Sequence, residues 1–544
     1  VATCGATGGV SSFGYSGTIA HAVLRHAGGD GGSAAAMTPL VFRRRSFPWR
    51  EVSAPSDAAR TSMHCACWVS ATPIRAPPSR SCLLLGALGT MVMDGTPGTV
   101  SQSCIVSVLL TGHTSVAPSL HAMHLVLHFV QHLVSLARPP QVLLFTSGVL
   151  ALGGAPSCEA NGGAWGFARV LRLEHAAVHT QTTDVPRPAA DVPSTSTFTP
   201  TSESEAAWIS NAHVVARLRA CTTLSRSSPS LACGSYAVTG GLGGLGLRAA
   251  SLLLEGGASR VLLASRSGRV MRNGQGLEAQ LHLMGAVATV LACDSADLRD
   301  THALFSPYLL TGMLHAAGAG DKGLLVELNA QRVQWMYASK AMGTWYVHCA
   351  AAIAPLEACV LFSSVGSGLG NVGQANYAAG NACLDAHALS QRSRGTVACS
   401  LQWPLVGGAG MGAAAFAAMG ERQVAFAGLA SISLEEYATC IRAQLTMILG
   451  VSGSVQVAHQ SDVRVLLQDL ADPSQPRFGE LLAQPKRAPD SIGPDAPAVA
   501  PAAGSALAHS LAHLGASQRR THVEASVLRV VRELTGTPAA SLTA

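Results

Sequence analysis

The segment "TGGLGGLG", residues 239–246, constrains the fold of this chain more than any other stretch of its sequence. A short apolar run that favours a strand precedes it, and "LRAASLLLEGG" follows with the spacing of a helix. Gly241, Gly243 and Gly246 fit the pattern G-x-G-x-x-G, in which glycines allow a tight turn, close approach to a pyrophosphate and close helix packing. The sequence therefore predicts a dinucleotide site; the alternative is a glycine-rich turn in a chain with 56 glycines.

An arginine follows where many dinucleotide-binding proteins carry an acid. The second predicted strand, "RVLLASRSG", has Arg266 near its tip, roughly twenty residues after Gly246. A planar guanidinium matches a 2′-phosphate in charge and geometry. The sequence therefore predicts NADPH rather than NADH; the alternative is an exposed arginine in a loop.

Three further segments are typical of strands that alternate with helical stretches. They are "AVATVLACDSAD", which ends near Asp294, "TGMLHAAG", which ends at Gly318, and "ACVLFSS", which ends at Ser364. Strands and helices in alternation predict an α/β fold with a parallel sheet, and ligands bind such a sheet at the carboxyl ends of its strands.

Four side chains in this region suit the reduction of a carbonyl. Hydride addition creates an alkoxide, which needs a proton and hydrogen-bond donors. Tyr377 is the candidate acid, and Lys340 is the cation that would lower the pKa of its phenol. Ser364 would hydrogen-bond the carbonyl oxygen, and Asn381, one helical turn after Tyr377, would help place Lys340 and a water. A residue of each of these types commonly has only a structural role. The order of all four after a dinucleotide loop favours a catalytic role.

The chain resembles the short-chain dehydrogenase/reductase superfamily, and more closely the ketoreductase domain of modular polyketide synthases. The resemblance is carried by "TGGLGGLG", "SRSG", "CDSAD", "HAAG", "FSSVGSGLGNVGQANYAAGNACLDA" and Lys340. In the synthase ketoreductases the Lys lies upstream and the Asn follows the Tyr, as here. The resemblance implies NADPH-dependent reduction of a β-ketoacyl thioester, held on an acyl carrier protein domain, to the β-hydroxyacyl thioester. It also implies cofactor contacts from Thr239, Gly241, Gly243, Leu245, Gly246, Ser265, Arg266, Asp294, Ala316, Ala317 and Gly318.

Some positions depart from the family pattern. The usual "LDD" is "GDK", ending at Lys322, and "WPLV" replaces the usual "WGPW" near the substrate lid. Leu369 stands where one stereochemical class has Trp, and Asn376 suits the other class, while Val372 replaces its usual Pro. These positions favour the class that lacks the Trp, with a D-hydroxy product, and leave the configuration open.

Earlier segments resemble a second, truncated Rossmann-like half. "SCLLLGALGT" and "QVLLFTSGVLALGG" resemble its strands and "NGGAWGFARVLRLEHAAV" its signature helix, but the third glycine is missing and Ala160 stands where a Tyr would follow Ser147. We therefore predict an α/β fold of two Rossmann-like subdomains with parallel doubly wound sheets, a structural half and an NADPH-binding catalytic half. The stretch 180–205, rich in Pro, Ser and Thr, is predicted to be a mobile surface insertion.

The flanks resemble neighbouring synthase domains. "VSSFGYSGTIAHAVLRHA" resembles the C-terminal tail of a ketosynthase, and the final helical segment resembles the start of an acyl carrier domain. The predicted segments are 1–27 (ketosynthase tail), 28–60 (post-ketosynthase linker), 61–224 (structural subdomain), 232–450 (catalytic subdomain), 451–520 (Pro/Ala-rich linker) and 521–544 (carrier start).

Composition narrows the remaining classes. A net charge of +6 from 36 basic and 30 acidic residues, without long basic runs, argues against a nucleic-acid partner. Polar residues and Pro interrupt the apolar runs, which argues against a membrane span. The 14 cysteines lack metal-site spacing and are expected to be reduced thiols, so we predict no metal and an intracellular, cytoplasmic location, an organelle not being excluded. The missing initiator Met suggests a fragment of a longer chain.

Two alternatives to a synthase ketoreductase stay open. A discrete carbonyl or ketoacyl reductase is disfavoured by the order of Lys340 and Asn381 and by the extra half. A catalytically silent scaffold would account for the departures at "GDK" and "WPLV", and the intact set of four catalytic candidates argues against it.

Overall fold

The computed structural model describes residues 7–13, 19–25, 63–71, 82–86, 89–93, 105–110, 117–154, 156–186, 201–210, 212–220, 231–270, 276–305, 307–351, 356–407, 431–446, 454–457, 467, 472–483 and 518. The chain divides into two compact units, Val1–Ser56 and Asp57–Ala544. In the first unit, β1 (Thr7–Phe13) pairs antiparallel with β2 (Ile19–Arg25). The predicted linker at 28–60 and the predicted carrier segment at 521–544 lie outside the described residues.

The first part of the second unit alternates strands with helices after an initial group of strands. Its described elements are β3 (Met63–Ser70), β4 (Cys82–Gly86), β5 (Gly89–Met93), β6 (Ile105–Leu110), α1 (Leu120–Val134), β7 (Gln141–Ser147), α2 (Gly163–Glu174), β8 (Gln181–Val185), β9 (Glu205–Ile209) and β10 (Ala212–Ala220).

The second part contains the strands that the sequence predicts around the glycine loop. Its described elements are β11 (Ser235–Thr239), α3 (Gly244–Glu255), β12 (Arg260–Ser265), α4 (Leu277–Met284), β13 (Ala288–Ala292), α5 (Leu298–Phe305), β14 (Leu310–His315), α6 (Ala330–Tyr337), α7 (Gly343–Ala351), β15 (Ala358–Ser364), α8 (Val365–Leu369), α9 (Ala375–Ser393), β16 (Cys399–Trp403), β17 (Leu405–Val406), β18 (Ser431–Ile432), α10 (Leu434–Thr446), β19 (Ser454–Val457) and α11 (Gly479–Ala483).

Fifteen of these strands form one sheet with two parallel blocks. Its order is β13-β12-β11-β14-β15-β16-β19-β3-β10-β9-β8-β7-β6-β4-β5. The pairs from β13 to β19 are parallel, and so are those from β9 to β4. Antiparallel β3 and β10 join the blocks. The α/β fold with two Rossmann-like halves is therefore confirmed, although the two halves share one continuous sheet.

The strand order reverses at β11, which lies between β12 and β14. Each βα loop at such a reversal leads away from its neighbour, so a crevice opens at the carboxyl ends of the strands. The glycine loop follows β11, and the candidate catalytic residues follow β14 and β15. The topology therefore gathers the predicted site residues at one edge of the sheet.

Helices α2 and α9 pack closely because both present small residues at the contact. A Cβ on Gly166 would strike the carbonyl of Ala378, and one on Gly162 would lie 2.5 Å from the Cβ of Ala386. Helix α2 belongs to the structural half, whereas α9 carries Tyr377. The non-catalytic half therefore forms part of the support of the catalytic helix.

Two predictions for irregular segments are wrong in part. Within the predicted linker at 451–520, Ser454–Val457 forms β19 in the central sheet, and Phe478 is buried against Leu218 of β10. Within the predicted insertion at 180–205, residues Gln181–Val185 form the buried strand β8. The polar composition of β8 is tolerated because its buried groups are hydrogen-bonded, as Asp184 is to the Thr146 hydroxyl at 2.8 Å.

None of the helices in the described ranges is both long enough and apolar enough to cross a membrane.

Candidate active site

The loop after β11 forms the turn that the glycine pattern predicts. Gly240 has a φ of 66°, in the left-handed region that favours glycine. A Cβ on Gly241 would lie 2.6 Å from the carbonyl oxygen of Val238, and one on Gly246 would strike the carbonyl of Gly240. The loop can therefore close only with glycine at these positions.

One side of this loop is open where a phosphate would approach. A Cβ on Gly243 would meet a single neighbouring atom, the carbonyl oxygen of Gly240 at 3.3 Å. Helix α3 begins at the next residue, and no side chain caps its first amides in the described structure. Uncapped amides at a helix N-terminus bind anions. The loop therefore fits the pyrophosphate of a dinucleotide.

The remaining predicted cofactor contacts lie on the same edge of the sheet. Thr239 ends β11, and its hydroxyl lies 2.8 Å from Nδ1 of His315, the last residue of β14. Ser265 ends β12 with Arg266 exposed directly after it. The other positions fall in the loops that follow the strands: Leu245 in the first turn of α3, Asp294 exposed after β13, and Ala316, Ala317 and Gly318 after β14.

Tyr377 lies in the first turn of α9, beside Ser364 and Asn381. Burial raises the pKa of Tyr377, and the nearby side chains of Ser364 and Asn381 oppose that rise. The phenol therefore keeps its proton at neutral pH, as a general acid requires.

Ser364 and Asn381 are fixed by the backbone around them. Ser364 ends β15, and its Oγ accepts a hydrogen bond from the amide of Gly366 at 3.2 Å, which caps α8. Asn381 is fully buried, and its Nδ2 donates to the carbonyl of Tyr377 at 2.9 Å. The donor groups beside the phenol are therefore held by a strand end and by one helical turn.

Lys340 lies in a π-helical turn, Ala338–Met342, between α6 and α7. Its Nζ donates to the carbonyl of Phe362 at 2.9 Å, two residues before Ser364. A Cβ on Gly318 would lie 2.8 Å from the same nitrogen, and one on Gly380 of α9 would lie 3.3 Å from the Cβ of Lys340. The ammonium group is therefore enclosed by the ends of β14 and β15 and by the helix that carries Tyr377.

The pKa of Lys340 reflects this enclosure. Burial lowers it to about 8, and the negative charge of Asp385 partly opposes the fall. Asp385 lies on α9, one turn after Asn381. At neutral pH the lysine is therefore still protonated, and it provides a positive charge in the pocket.

The four positions predicted to govern stereochemistry occupy different environments. Lys322 and Val372 are exposed, whereas Leu369 is buried against Leu218 and Phe478. Asn376 is buried, and its Nδ2 donates to Asp321 at 2.7 Å. Leu369 therefore packs in a cluster formed by α8, β10 and the segment around Phe478, while Asn376 connects α9 to the loop after β14.

Two carboxylates at this site were missed by the sequence analysis. Asp321, the middle residue of "GDK", binds the guanidinium of Arg332 at 2.7 Å. Asp385 accepts hydrogen bonds from three buried side chains. Its spacing, eight residues after Tyr377 on one helix, was visible in "NYAAGNACLDA" and could have identified it.

A cavity of about 610 Å³ lies between the structural half and the middle of α9, and Asp385 is one of its lining residues. Trp165, Ile209 and Leu389 are among its lining residues, and Tyr377 and Lys340 are not. Because it lacks the catalytic candidates and the glycine loop, we assign the active site to the edge of the sheet and not to this cavity.

A family model described as "KR domain" matches residues 234–408. The matched range contains the glycine loop and all four catalytic candidates. Residues 234–408 are therefore similar to KR domains. A KR domain is a ketoreductase, an oxidoreductase that uses a nicotinamide cofactor.

Proteins similar to the KR domain and its flanks are polyketide synthases. The spectinabilin polyketide synthase system protein NorB of Streptomyces orinoci is 38% identical over 209 residues, which is 37% of this chain and 10% of NorB. Polyketide synthase GfsB of Streptomyces halstedii is 42% identical over 177 residues, 32% of this chain and 3% of GfsB. Mellein synthase of Phaeosphaeria nodorum is 32% identical over 285 residues, 48% of this chain and 16% of the synthase. The chain therefore spans a small part of the length of these relatives.

Solved ketoreductases share the architecture beyond the KR domain itself. A ketoreductase from the first module of phoslactomycin biosynthesis in Streptomyces sp. HK803 is 26% identical with a TM-score of 0.63, and the match covers 78% of this chain and 99% of that one. An A1-type ketoreductase at 22% identity has the same TM-score over 78% of this chain and 98% of its own, which supports the fold alone. The two-half fold therefore matches ketoreductases over nearly their full length.

Proposed function

We propose that this chain reduces a β-ketoacyl thioester to the β-hydroxyacyl thioester with NADPH, on a substrate carried by an acyl carrier protein domain of a polyketide synthase. The observation that supports this most directly is the position of half-buried Tyr377 beside Ser364 and Asn381, at the edge that carries the glycine loop. The proposed partners are the carrier domain and neighbouring synthase domains, and the proposed location is the cell interior, where NADPH is available.

The catalytic roles follow from the chemistry of each group. Tyr377 would donate its proton to the carbonyl oxygen as negative charge develops there. Ser364 would donate a hydrogen bond to the same oxygen. The positive charge of Lys340 would stabilise the phenolate that remains, because a nearby cation favours the charged form of an acid. Asn381 would hold the backbone of the first turn of α9 in place.

The cofactor would be held by the glycine loop, with its 2′-phosphate near Arg266. The uncapped amides of α3 suit the pyrophosphate, and Asp294 and Ala316 to Gly318 lie along the same edge. When bound, the reduced nicotinamide supplies the hydride. The chain itself supplies orientation, the proton and the stabilising charge.

The test is reduction by the intact chain. The protein is mixed with NADPH and a soluble β-ketoacyl thioester surrogate, and loss of the reduced-nicotinamide absorbance is followed together with the mass of the product. We expect a product heavier by two hydrogens, formed in equal amount to the NADPH consumed. A folded protein that binds NADPH and leaves the thioester unchanged would instead support the silent scaffold.

Replacing Arg266 by glutamine tests the cofactor assignment. We expect kcat/KM for NADPH to fall about 10- to 100-fold, because a hydrogen bond between charged groups contributes roughly 1.5–3 kcal/mol. The value for NADH should stay unchanged. Arg269→Gln is the matched control, since Arg269 is exposed in the same loop. Equal use of NADH and NADPH by the unaltered protein would contradict the assignment.

A further inference from the structure

Asp385 is a buried carboxylate that the proposed reaction does not use. It is 8% exposed and accepts hydrogen bonds from Ser400 Oγ at 2.6 Å and from Gln402 Nε2 at 2.7 Å, both on β16. Ser367 Oγ of α8 lies 2.7 Å from its second oxygen. A buried charge with three donors is fully satisfied, so it holds those donors in a fixed geometry.

The contact with Ser367 connects Asp385 to the catalytic serine. Ser367 Oγ also lies 2.8 Å from the carbonyl oxygen of Ser364 and 3.0 Å from Ser363 Oγ. A hydroxyl has one proton, and a carboxylate is the stronger acceptor, so Ser367 donates to Asp385 and not to the Ser364 carbonyl. Its link to Ser364 is the backbone of the first turn of α8. Ser363 Oγ in turn lies 3.3 Å from the carbonyl of Asn381. The bond from Ser367 to Asp385 therefore joins the serine turn, Ser364 to Leu369, to the helix of Tyr377.

We propose that Asp385 is a positioning residue that fixes the Ser364 turn against the first turns of α9. This inference rests on the proposed function and goes beyond its four catalytic residues. Asp385 sets the separation of the Ser364 hydroxyl and the Tyr377 phenol by binding α8 through Ser367 and β16 through Ser400 and Gln402. A small misplacement of reacting groups costs rate, so the network acts on kcat.

The same carboxylate also acts through its charge. It opposes the effect of burial on the pKa of Lys340, which stands at about 8. The other groups around this pair are His315 on β14, whose pKa burial lowers to about 3, and Arg169 on α2, whose charge interacts with Asp385. His315 is therefore neutral at the working pH, and Asp385 is the negative charge that favours protonated Lys340.

Two variants separate the geometric role from the charge. Asp385→Asn retains the size of the side chain and removes its charge; Gln402 can turn its buried and unpaired Oε1 toward the new amide. Ser367→Ala breaks the connection to the serine turn and keeps the charge. We expect both to lower kcat about 10- to 100-fold with the Kd of NADPH unchanged. We expect kcat to fall at high pH, where Lys340 loses its proton. Only Asp385→Asn should move this fall to lower pH, because without the negative charge of Asp385 the lysine loses its proton more readily.

Asp184→Asn is the matched control. Asp184 is equally buried, in the structural half, and accepts from Thr146 Oγ1 and from the amides of Val149 and Leu150. We expect its kcat and pH profile to match those of the unaltered protein. Unchanged kcat in Asp385→Asn would overturn the inference. It would also be overturned if both Asp385→Asn and Asp184→Asn lost activity only in proportion to a smaller amount of folded protein. An inactive but folded unaltered protein would instead overturn the proposed function.

Discussion

Replacing Tyr377 by phenylalanine is expected to lower kcat about 100- to 10,000-fold, the range that positioned proton transfer contributes. The substitution removes one hydroxyl from a side chain in the first turn of α9 and leaves the ring to pack as before. The phenol lies beside Ser364 and Asn381, and burial keeps its pKa above the ordinary value, so it is the protonated group that faces the site. No other change of one atom should cost as much activity.

The measurement is kcat with the thioester surrogate, alongside the Kd of NADPH from fluorescence titration. The Kd should not change, because the glycine loop and α3 do not depend on the phenol. Tyr337→Phe removes the same atom from a fully buried tyrosine on α6 and should retain most of the activity. A Tyr377→Phe protein with more than a tenth of the original kcat would exclude Tyr377 as the proton donor.

The parts of the site that the sequence predicts are those that depend on local spacing. The glycine loop, the strand ends and the step from Tyr377 to Asn381 are each encoded within one short segment. Lys340 lies in a π-helical turn between two α-helices, and a periodicity argument does not resolve such a turn. Its approach to the ends of β14 and β15 follows from sheet topology, which the alternation of strands and helices specifies.

The parts that the sequence does not predict depend on contacts between distant residues. The polar sequence of β8 is typical of a loop. It forms a buried strand because its polar side chains find hydrogen-bond partners in neighbouring elements, which the local sequence does not reveal. Arg477 was assigned to a linker, yet it binds Glu205, 272 residues earlier, at 3.0 Å. Hydrophobic patterns predict which apolar residues are buried. They do not predict buried ion pairs whose partners lie far apart along the chain.

Replacing Glu205 by glutamine is expected to reduce the free energy of unfolding by about 3–5 kcal/mol, the cost of removing one partner from a buried ion pair. Glu205 is 2% exposed and lies 2.7 Å from Arg169 and 3.0 Å from both Arg172 and Arg477. Glutamine retains the shape and removes the carboxylate charge that all three guanidinium groups share. Two of them also donate to the serine turn, Arg169 to the Ser367 carbonyl and Arg477 to the Gly368 carbonyl.

The pH dependence of this loss distinguishes charge from packing. Burial alone would raise the pKa of Glu205, but Arg169, Arg477 and Arg172 hold it well below its ordinary value. A lowered pKa gives stabilisation that is complete above about pH 4.5 and is lost as the pH falls toward the folded-state value. The difference in urea midpoint between Glu205→Gln and the unaltered protein should therefore be constant from about pH 6 to 8 and shrink in acid.

Glu480→Gln is the control, since Glu480 binds Arg219 at the same 2.7 Å on the surface, where water screens the pair. If Glu480→Gln lowered the free energy of unfolding as much as Glu205→Gln, burial of the ion pairs would not explain the loss of stability in Glu205→Gln.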